Sequence, residues 1–350
     1  MVNTNSIRVT TTTTTTSLSS LLTTKPHFLI PSNLKFNPKP LKPITTSSRP
    51  NTPHIPKSLT EDAAAATAAT SAVDAAISPR NLKSRLRNGD TLYGLFLLSF
   101  SPTIAEIAGL AGYDFVVVDL EHGHGGISDA LPCLHAIAAA GTAAIIRIPE
   151  TSAMWAKKAL DLGPQGIMFP MIESAKWARK AVSYCRFPPG GVRGSAHPVV
   201  RASGYGIDDG YLGSYMEELL VMCQVESEEG VENVDEIVAV DGVDVVQMGP
   251  LDLSASLGCL WDPGNKKVKE VLREAERKVL ESKEKVYLSG FALPHDGPQD
   301  LKSRGYHMVS GAVDVGLFRS AAVEDVESFK MSLTEEGSDG DRGDEKYWSE

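Results

Sequence analysis

Short apolar runs alternate with amphipathic stretches between residues 79 and 332. Each run has the length of a strand covered on both faces, and each stretch between runs is long enough for a helix. There are eight runs: Leu95–Leu98, Phe115–Val118, Ala144–Arg147, Gly166–Phe169, Val221–Val225, Val243–Met248, Val286–Phe291 and His307–Ser310. Strands that alternate with helices form parallel sheets, and a closed (β/α)8 barrel needs eight strands. The alternation therefore predicts a TIM barrel, with a doubly wound open sheet as the alternative.

The stretches between the runs carry helical signals. Val268, Leu272 and Val279 recur at helical spacing, with lysine, arginine and glutamate residues between them. This spacing places the apolar side chains on one face of a helix, as the outer ring of a barrel requires. Ser101 followed by Pro102 predicts the start of another helix. One barrel of about 250 residues accounts for the pattern better than two domains.

The first 60 residues differ in composition from the rest of the chain. They contain no Asp or Glu, seven Lys or Arg, eight Pro and 22 Ser or Thr. This composition is typical of a transit peptide and favours chloroplast over mitochondrial import, with a merely disordered tail as the alternative. We assign residues 1–76 to a transit peptide and alanine-rich leader, 77–332 to the barrel, and 333–350 to an acidic disordered tail.

The overall charge limits the kinds of partner. The net charge is −10 and the predicted barrel contains no Lys or Arg cluster, which argues against nucleic acids and anionic membranes. The apolar runs are far shorter than the roughly 18 residues that span a bilayer. Cys133, Cys185, Cys223 and Cys259 are widely spaced, so we expect reduced core cysteines rather than a disulfide framework or zinc cluster. A small-molecule partner is therefore predicted.

Polar residues stand at the ends of several predicted strands. They are Asp119, Glu121 and His122 after the second run, Arg147 at the end of the third, Gln224 and Glu226 at the fifth, and Asp252 after the sixth. In a TIM barrel the carboxyl ends of the strands form the mouth where catalytic residues lie. Charges delivered there need partners, because an unpaired buried ion is costly. Each residue alone has an ordinary structural explanation, such as a helix cap or a salt bridge, but the set predicts one reaction site.

Two of these residues suggest a metal ion. Glu226 and Asp252 follow neighbouring strands, and paired carboxylates suit Mg²⁺ or Mn²⁺, which prefer oxygen ligands and retain several waters. A metal that holds a 2-oxo acid beside Arg147 would stabilise the enolate formed when the adjacent carbon loses a proton or a carbon–carbon bond. None of the eight runs ends in lysine, which argues against a Schiff base.

Five segments together resemble one known family. They are Asp119-Leu120-Glu121-His122, Ile145-Ile146-Arg147, Phe187 to Gly194, Gln224-Val225-Glu226-Ser227 and Gly249 to Ser254. In this order they are similar to the HpcH/HpaI aldolases, the metal-dependent class II pyruvate aldolases, whose fold is a TIM barrel of the phosphoenolpyruvate/pyruvate type. Residues 314–321 are most similar to the 2-dehydro-3-deoxyglucarate aldolase branch. The resemblance extends from about Leu92 to Ala322, nearly all of the predicted barrel.

The resemblance implies a role for each matching residue. Glu226 and Asp252 match the ligands of Mg²⁺, Mn²⁺ or Co²⁺. Arg147 matches the arginine that contacts the keto oxygen of pyruvate. His122 matches the catalytic acid/base, with Asp119 as the carboxylate that orients it.

The remaining matches concern substrate binding and assembly. Gln224 matches a glutamine that contacts substrate, and the backbone amides of Leu251 and Asp252 match those that hold the pyruvate carboxylate. Asp161 matches an aspartate that reaches the histidine of a neighbouring subunit. The resemblance therefore implies a homo-oligomer, commonly a hexamer.

Together these observations predict a plastid lyase. The predicted reaction is reversible cleavage of a 2-oxo-4-hydroxy acid, such as a 2-dehydro-3-deoxy sugar acid, to pyruvate and an aldehyde through a metal-stabilised enolate. The alternatives are another reaction of the same enolate, such as oxaloacetate decarboxylation, and a non-catalytic barrel that binds metabolites.

Several places depart from the usual family pattern, among them Leu120, the residues after His122, the segment His197 to Val200, and Phe291. After His122, the glycines Gly123 and Gly125 are expected to give room beside the histidine, and His124 is expected to be a loop residue. Phe291 stands where a smaller apolar residue is usual. These departures leave the aldehyde undetermined.

Overall fold

The computed structural model describes residues 81–336, with side chains as far as residue 331. Within this range eight parallel strands pair in chain order: β1 (Leu92–Leu97), β2 (Phe115–Asp119), β3 (Ala143–Arg147), β4 (Gly166–Phe169), β5 (Leu220–Val225), β6 (Val245–Met248), β7 (Tyr287–Phe291) and β8 (Met308–Val313). Strand β8 also pairs with β1, so the sheet closes into a barrel. The TIM barrel prediction is confirmed, and closure excludes the open sheet.

All eight predicted runs are strands, with small differences at their ends. Strand β4 begins and ends where predicted, whereas β1 begins earlier, at Leu92, and β8 ends later, at Val313. The added segments include Gly94 and Gly311, so hydrophobic periodicity does not mark them. Pairing between β1 and β8 extends both strands, and this pairing joins residues more than 200 positions apart.

Helices surround the strands. They are α1 (Leu82–Arg87), α2 (Pro102–Leu110), α3 (Ile127–Ala139), α4 (Ala153–Asp161), α5 (Ala175–Cys185), α6 (Tyr211–Glu218), α7 (Glu228–Glu232), α8 (Val234–Val238), α9 (Pro250–Ser256), α10 (Lys266–Glu281), α11 (Pro298–Ser303) and α12 (Asp314–Glu336). The predicted cap is confirmed, since Ser101 Oγ accepts a hydrogen bond from the backbone N–H of Ile104. The apolar face of α10 is confirmed as well, because Val268, Leu272 and Val279 are buried.

Side chains alternate between two layers along the strands. In β2, Phe115 and Val117 pack inside the barrel, whereas Val116 and Val118 pack between the barrel and the helices. Because this alternation has a period of two, Asp119 faces inward at the carboxyl end of the strand. The same alternation carries the polar ends of other strands to the barrel mouth.

The described residues also bear on the remaining predictions. Cys133, Cys185 and Cys223 are buried and Cys259 is partly buried, and all four are free thiols. Between residues 81 and 336 no helix is long and apolar enough to cross a bilayer. Helix α12 continues to Glu336, past the predicted end of the barrel. The predicted leader and the rest of the predicted acidic tail lie outside the described residues.

Candidate active site

Arg147 ends β3 in the barrel mouth, where Asp119 of β2 holds it. Its Nε donates to Asp119 Oδ1 at 2.8 Å and its Nη2 to Oδ2 at 2.5 Å, a bidentate pair. The guanidinium also lies over the ring of Phe96, 4.9 Å from the centroid. Burial lowers the pKa of Arg147, but the hydrogen bonds and charge of Asp119 outweigh this and raise it. The guanidinium is therefore a fixed cation, with Nη1 2.9 Å from Glu121 Oε2 and 3.4 Å from Gln224 Oε1.

His122 has a different carboxylate beside it from the one predicted. Both oxygens of Asp119 bond to Arg147, and Oδ1 also accepts from the backbone N–H groups of Glu121 and His122 at 3.1 and 3.4 Å. The carboxylate that faces the imidazole is Glu121, whose Oε2 lies 4.0 Å from His122 Nε2. Asp119 orients Arg147 and the loop backbone because it points into the barrel toward the neighbouring strand β3.

Glu121 lies between Arg147 and His122. Its Oε2 is at ion-pair distance from Arg147 Nη1, yet it is buried and makes no hydrogen bond within the described part of the chain. Burial raises the pKa of this carboxyl to about 7, with the charge of Arg147 opposing the shift and the charge of Asp119 adding to it. An acid of this pKa beside a histidine is suited to proton transfer. Glu121 lies in the turn directly after β2, two residues beyond Asp119, so the alternation along the strand does not predict its direction.

Replacing Glu121 by glutamine is expected to lower kcat of the reaction at this site about 10- to 100-fold, because the amide keeps the shape of the side chain but cannot exchange a proton. The pH profile of kcat/KM should change near pH 7 as well. The control is Glu150→Gln, which alters an exposed acid in the next loop of the mouth. An unchanged pH profile in Glu121→Gln would reduce Glu121 to a packing role.

Glu226 follows β5 and is buried. Its Oε1 accepts a hydrogen bond from the backbone N–H of Met171 at 2.8 Å, and its Oε2 accepts one from the side-chain amide of Gln224. Burial raises the pKa of Glu226 to about 7; the two hydrogen bonds oppose this shift, and the nearby acids add to it. Ser227 caps α7, so Glu226 is not explained as a helix cap.

Gly249, directly after β6, provides the space that Glu226 occupies. A Cβ at this position would lie 2.6 Å from both Cβ and Oε2 of Glu226. The φ of Gly249 is −106°, which other residues adopt, so the glycine is required for space rather than for backbone conformation.

Leu251 and Asp252 lie in the first turn of α9. The first N–H groups of a helix have no partner within it, and the described residues supply no side-chain cap for α9. These amides can therefore accept an anion, as predicted for the pyruvate carboxylate. The Asp252 charge raises the pKa values of both Glu121 and Glu226, so the three carboxyl groups lie near one another.

The chemistry of these carboxyl groups fits a divalent cation. In residues 81–336, no three or more His, Cys, Asp or Glu side chains form a complete metal site by themselves. Glu226 and Asp252 would supply two oxygen ligands and leave positions for water and substrate oxygens, the usual arrangement for Mg²⁺. A cation there would also offset the cost of ionising Glu226 and Glu121 away from water.

One cavity brings most of the predicted residues together. It has a volume of about 200 Å³, and it is lined by Asp119, His122, Arg147, Gln224, Leu251 and Asp252. A cavity of similar size, about 210 Å³, lies beside Arg193 and contains none of these residues. The charged and hydrogen-bonding groups of the first cavity make it the candidate reaction site.

Asp161 is the predicted residue that lies elsewhere. It ends α4, the helix that returns from the mouth toward the amino ends of the strands, and its Oδ1 is 3.8 Å from Nη2 of the buried Arg193. Arg193 Nη2 also donates to the carbonyl oxygen of Leu160 at 3.3 Å. The predicted role of Asp161 concerns the histidine of a neighbouring subunit, so it stays a prediction.

The glycines after His122 make room for an aromatic ring rather than for the histidine. A Cβ on Gly123 would lie 2.5 Å from the Phe100 ring, and one on Gly125 would lie 2.4 Å from it. The ring of His124 meets the same phenylalanine edge-on, with 5.9 Å between centroids. His124 thus packs within the loop, and Phe100 fixes the segment that carries His122.

A barrel whose mouth holds a fixed arginine, a histidine and clustered carboxyl groups has the arrangement of an enzyme active site. Residues 92–321 match the family model described as HpcH/HpaI aldolase/citrate lyase. The chain belongs to this family, and by class it is a carbon–carbon lyase.

Individual relatives show the same similarity. The chain is 36% identical over 249 residues to the 2-keto-3-deoxy-L-rhamnonate aldolase of Escherichia coli strain K12, covering 71% of this chain and 92% of the relative. It matches the solved HpcH/HpaI aldolase/citrate lyase family protein from Burkholderia cenocepacia J2315 with a TM-score of 0.68 at 34% identity, covering 71% and 98% of the two chains. The HpcH/HpaI aldolase from Desulfitobacterium hafniense DCB-2 matches with a TM-score of 0.64 at 28% identity, covering 71% and 96%.

Proposed function

We propose that this protein is a metal-dependent aldolase that reversibly cleaves a 2-oxo-4-hydroxy acid of the 2-keto-3-deoxy sugar acid class to pyruvate and an aldehyde. The observation that carries the proposal is the fixed guanidinium of Arg147, whose Nη1 lies in the mouth beside Gln224. The named relative supports the substrate class, since it is a 2-keto-3-deoxy-L-rhamnonate aldolase.

Arg147 and Gln224 bind the keto group in this proposal. Cleavage of the bond between carbons 3 and 4 leaves negative charge on the keto oxygen, and a positioned cation stabilises that charge more than it stabilises the neutral ketone. Because Asp119 already fixes the guanidinium, little reorganisation accompanies the reaction. The amides of Leu251 and Asp252 hold the substrate carboxylate.

His122 transfers the proton in this proposal, with Glu121 as its partner. In the cleavage direction a base removes the proton of the 4-hydroxyl group while the bond between carbons 3 and 4 breaks. The side chain of His122 is 59% exposed, so it can reach a substrate hydroxyl directly or through one water. Glu121, 4.0 Å away, is placed to orient the imidazole and to stabilise its protonated form.

Glu226 and Asp252 hold the divalent metal in this proposal, with Mg²⁺, Mn²⁺ and Co²⁺ as the candidate ions. When bound, the metal supplies Lewis acidity toward the substrate oxygens. The hydrogen bonds from Met171 and Gln224 orient Glu226 for this task.

A homo-oligomer is also part of the proposal. Helix α12 exposes Leu317, Phe318 and Val326, which are 50%, 74% and 47% accessible in the single chain. Apolar side chains at this density on one helix are typical of a surface that a second copy covers. Such an assembly would also supply the neighbouring subunit whose histidine Asp161 is predicted to reach.

Import into plastids is proposed from the acid-free composition of residues 1–60. A fluorescent protein fused behind residues 1–76 should accumulate in chloroplasts of plant cells. Accumulation in mitochondria or the cytosol would contradict this part of the proposal.

Exchange of pyruvate methyl protons for deuterium tests the reaction without knowledge of the aldehyde. The full-length protein, treated with EDTA and resupplied with Mg²⁺ or Mn²⁺, is expected to exchange these protons, because enolisation of pyruvate is the reverse half-reaction. NMR in D₂O follows the loss of the methyl signal, and the EDTA-treated protein is the control. A folded protein that shows no exchange with either metal would exclude the pyruvate-enolate mechanism.

A further inference from the structure

One strained residue supplies the backbone donor to Glu226. The backbone N–H of Met171, in the loop after β4, donates to Glu226 Oε1 at 2.8 Å. The φ of Met171 is 51°, in the left-handed region that favours glycine and that other residues rarely adopt. A residue keeps such a conformation where the surrounding structure fixes it, and these places are frequent at active sites. Contacts on either side of Met171 must therefore hold its backbone.

The peptide group between Pro170 and Met171 is held at both ends. Its carbonyl oxygen, on Pro170, accepts a hydrogen bond from Thr151 Oγ1 at 3.0 Å. Its N–H is the donor to Glu226. A trans peptide group is planar, and its C=O and N–H point in opposite directions. The hydroxyl of Thr151 and the carboxylate of Glu226 therefore fix the orientation of one peptide plane between them.

The backbone that follows Met171 is anchored separately. The N–H of Ile172 donates to the carbonyl oxygen of Gln224 at 2.9 Å, and the side chain of Ile172 is fully buried. Glu173 Oε1 accepts a hydrogen bond from Ser227 Oγ at 2.9 Å. These contacts attach the loop to β5 and to the segment after it. They do not involve the Pro170 carbonyl, whose donor is Thr151.

Rotation of the peptide group between Pro170 and Met171 would relieve the strain. Such a rotation changes the φ of Met171 and can bring it to the negative values that methionine adopts freely. It would also turn the N–H away from Glu226, so that a buried carboxylate would lose one of its hydrogen bonds. The hydrogen bond from Thr151 opposes the rotation, because it holds the carbonyl at the other end of the plane.

We propose that Thr151 is a positioning residue for the metal site, because its hydroxyl holds the peptide that aims the Met171 N–H at Glu226. The inference rests on the proposed function, since the orientation of Glu226 affects metal affinity only if Glu226 is a ligand. Thr151 lies in the loop after β3, the strand that ends in Arg147. The same segment of chain thus supports both the keto-binding group and the metal-binding group.

The affinity for Mn²⁺ tests this inference on the full-length protein after treatment with EDTA and its removal. Thr151→Val keeps the shape of the side chain and removes the hydroxyl. We expect it to raise the Kd about tenfold, the lower end of the range for groups that support a metal ligand. Thr151→Ser keeps the hydroxyl and should stay within about threefold of the parent. Electron paramagnetic resonance of free Mn²⁺ measures each Kd.

The neighbouring hydroxyl provides a matched control. Ser152 Oγ accepts a hydrogen bond from the backbone N–H of Trp155 and caps α4. Ser152→Ala should therefore lower the melting temperature and leave the Kd for Mn²⁺ unchanged. Thermal melting of the metal-free proteins checks folding, and Thr151→Ala serves the same test if the valine variant does not fold.

Met171→Gly distinguishes control of the peptide orientation from general packing. Glycine adopts a positive φ without strain, so the peptide gains little by rotating even when the hydroxyl is absent. The double variant Thr151→Val with Met171→Gly should therefore bind Mn²⁺ about threefold or more tightly than Thr151→Val alone. A threonine that served only in packing would give no such recovery.

The outcomes separate this inference from the proposed function. A Kd for Thr151→Val within about threefold of the parent overturns the inference and leaves the proposed function standing. Binding by Thr151→Ser that is as weak as that of Thr151→Val also overturns it, as does a double variant without recovery. A parent protein that binds no Mn²⁺ contradicts the proposed metal site, and the inference is then overturned together with it.

Discussion

Replacement of Arg147 by alanine is expected to lower kcat/KM for aldol cleavage about 1,000-fold, because one preorganised donor to a developing oxyanion contributes about that factor. Pyruvate methyl exchange should fall by a similar factor, since it passes through the same enolate. The structure places no second arginine or lysine among the residues that line this cavity. Stopped assays of cleavage and NMR of exchange measure the two losses.

The alanine variant also removes the partner of a fully buried aspartate. Asp119 is 0% exposed, and an unpaired buried charge destabilises a protein by about 3–5 kcal/mol. The double variant Asp119→Asn with Arg147→Ala separates this effect from catalysis, because it should recover much of the stability and none of the activity. Arg147→Lys keeps the charge without the bidentate geometry and should remain about 100-fold below the parent. Exchange within tenfold of the parent in Arg147→Ala would contradict the assigned role.

Replacement of Glu226 by glutamine is expected to abolish metal-dependent exchange and to raise the Kd for Mg²⁺ about 100-fold or more, because a neutral amide is a weak ligand for a hard cation. The parent protein should gain about 2.7 kcal/mol of stability at a metal concentration 100 times its Kd, and the variant should gain almost none at the same concentration. Thermal melting with and without Mg²⁺ measures this difference.

The pKa of Glu226 predicts how the stability of the metal-free fold and the affinity for Mg²⁺ depend on pH. In the metal-free protein burial raises the pKa from 4.5 to about 7, so the folded state favours the protonated carboxyl. The contribution of this group to stability is fully present below pH 4.5 and is lost as the pH rises through about 7. Metal binding needs the carboxylate, so Mg²⁺ affinity should weaken about tenfold for each pH unit below 7. Glu229→Gln changes an exposed acid three residues away and should alter none of these results.

The strands could be predicted from sequence because each is a local pattern. A run such as Gly166–Phe169 is apolar throughout and bounded by turn residues, which suffices to identify a strand that is covered on both faces. The ends of β1 and β8 could not be predicted, because they depend on pairing between residues such as Leu92 and Met308. Those extra residues matter, since Val313 lines the cavity in the barrel mouth.

In the site, too, some features could be predicted from the sequence and others could not. The position of Asp119 in the mouth follows from the alternation along β2, but its partner does not. Its carboxylate bonds to Arg147, 28 residues away, and this leaves Glu121 beside His122. The glycine-rich loop is a further example, since Gly125 is required by the ring of Phe100 from another segment.

The sequence by itself determined the barrel, the strand ends that carry reactive groups and the family, because periodicity and short motifs are properties of neighbouring residues. The tertiary structure decided which carboxylate lies beside which partner and which groups donate hydrogen bonds to Glu226. It also decided that Phe96 and Phe291 share one wall of the cavity. These facts depend on distances between side chains from different strands. Closure of the barrel fixes those distances, and no local pattern in the chain encodes them.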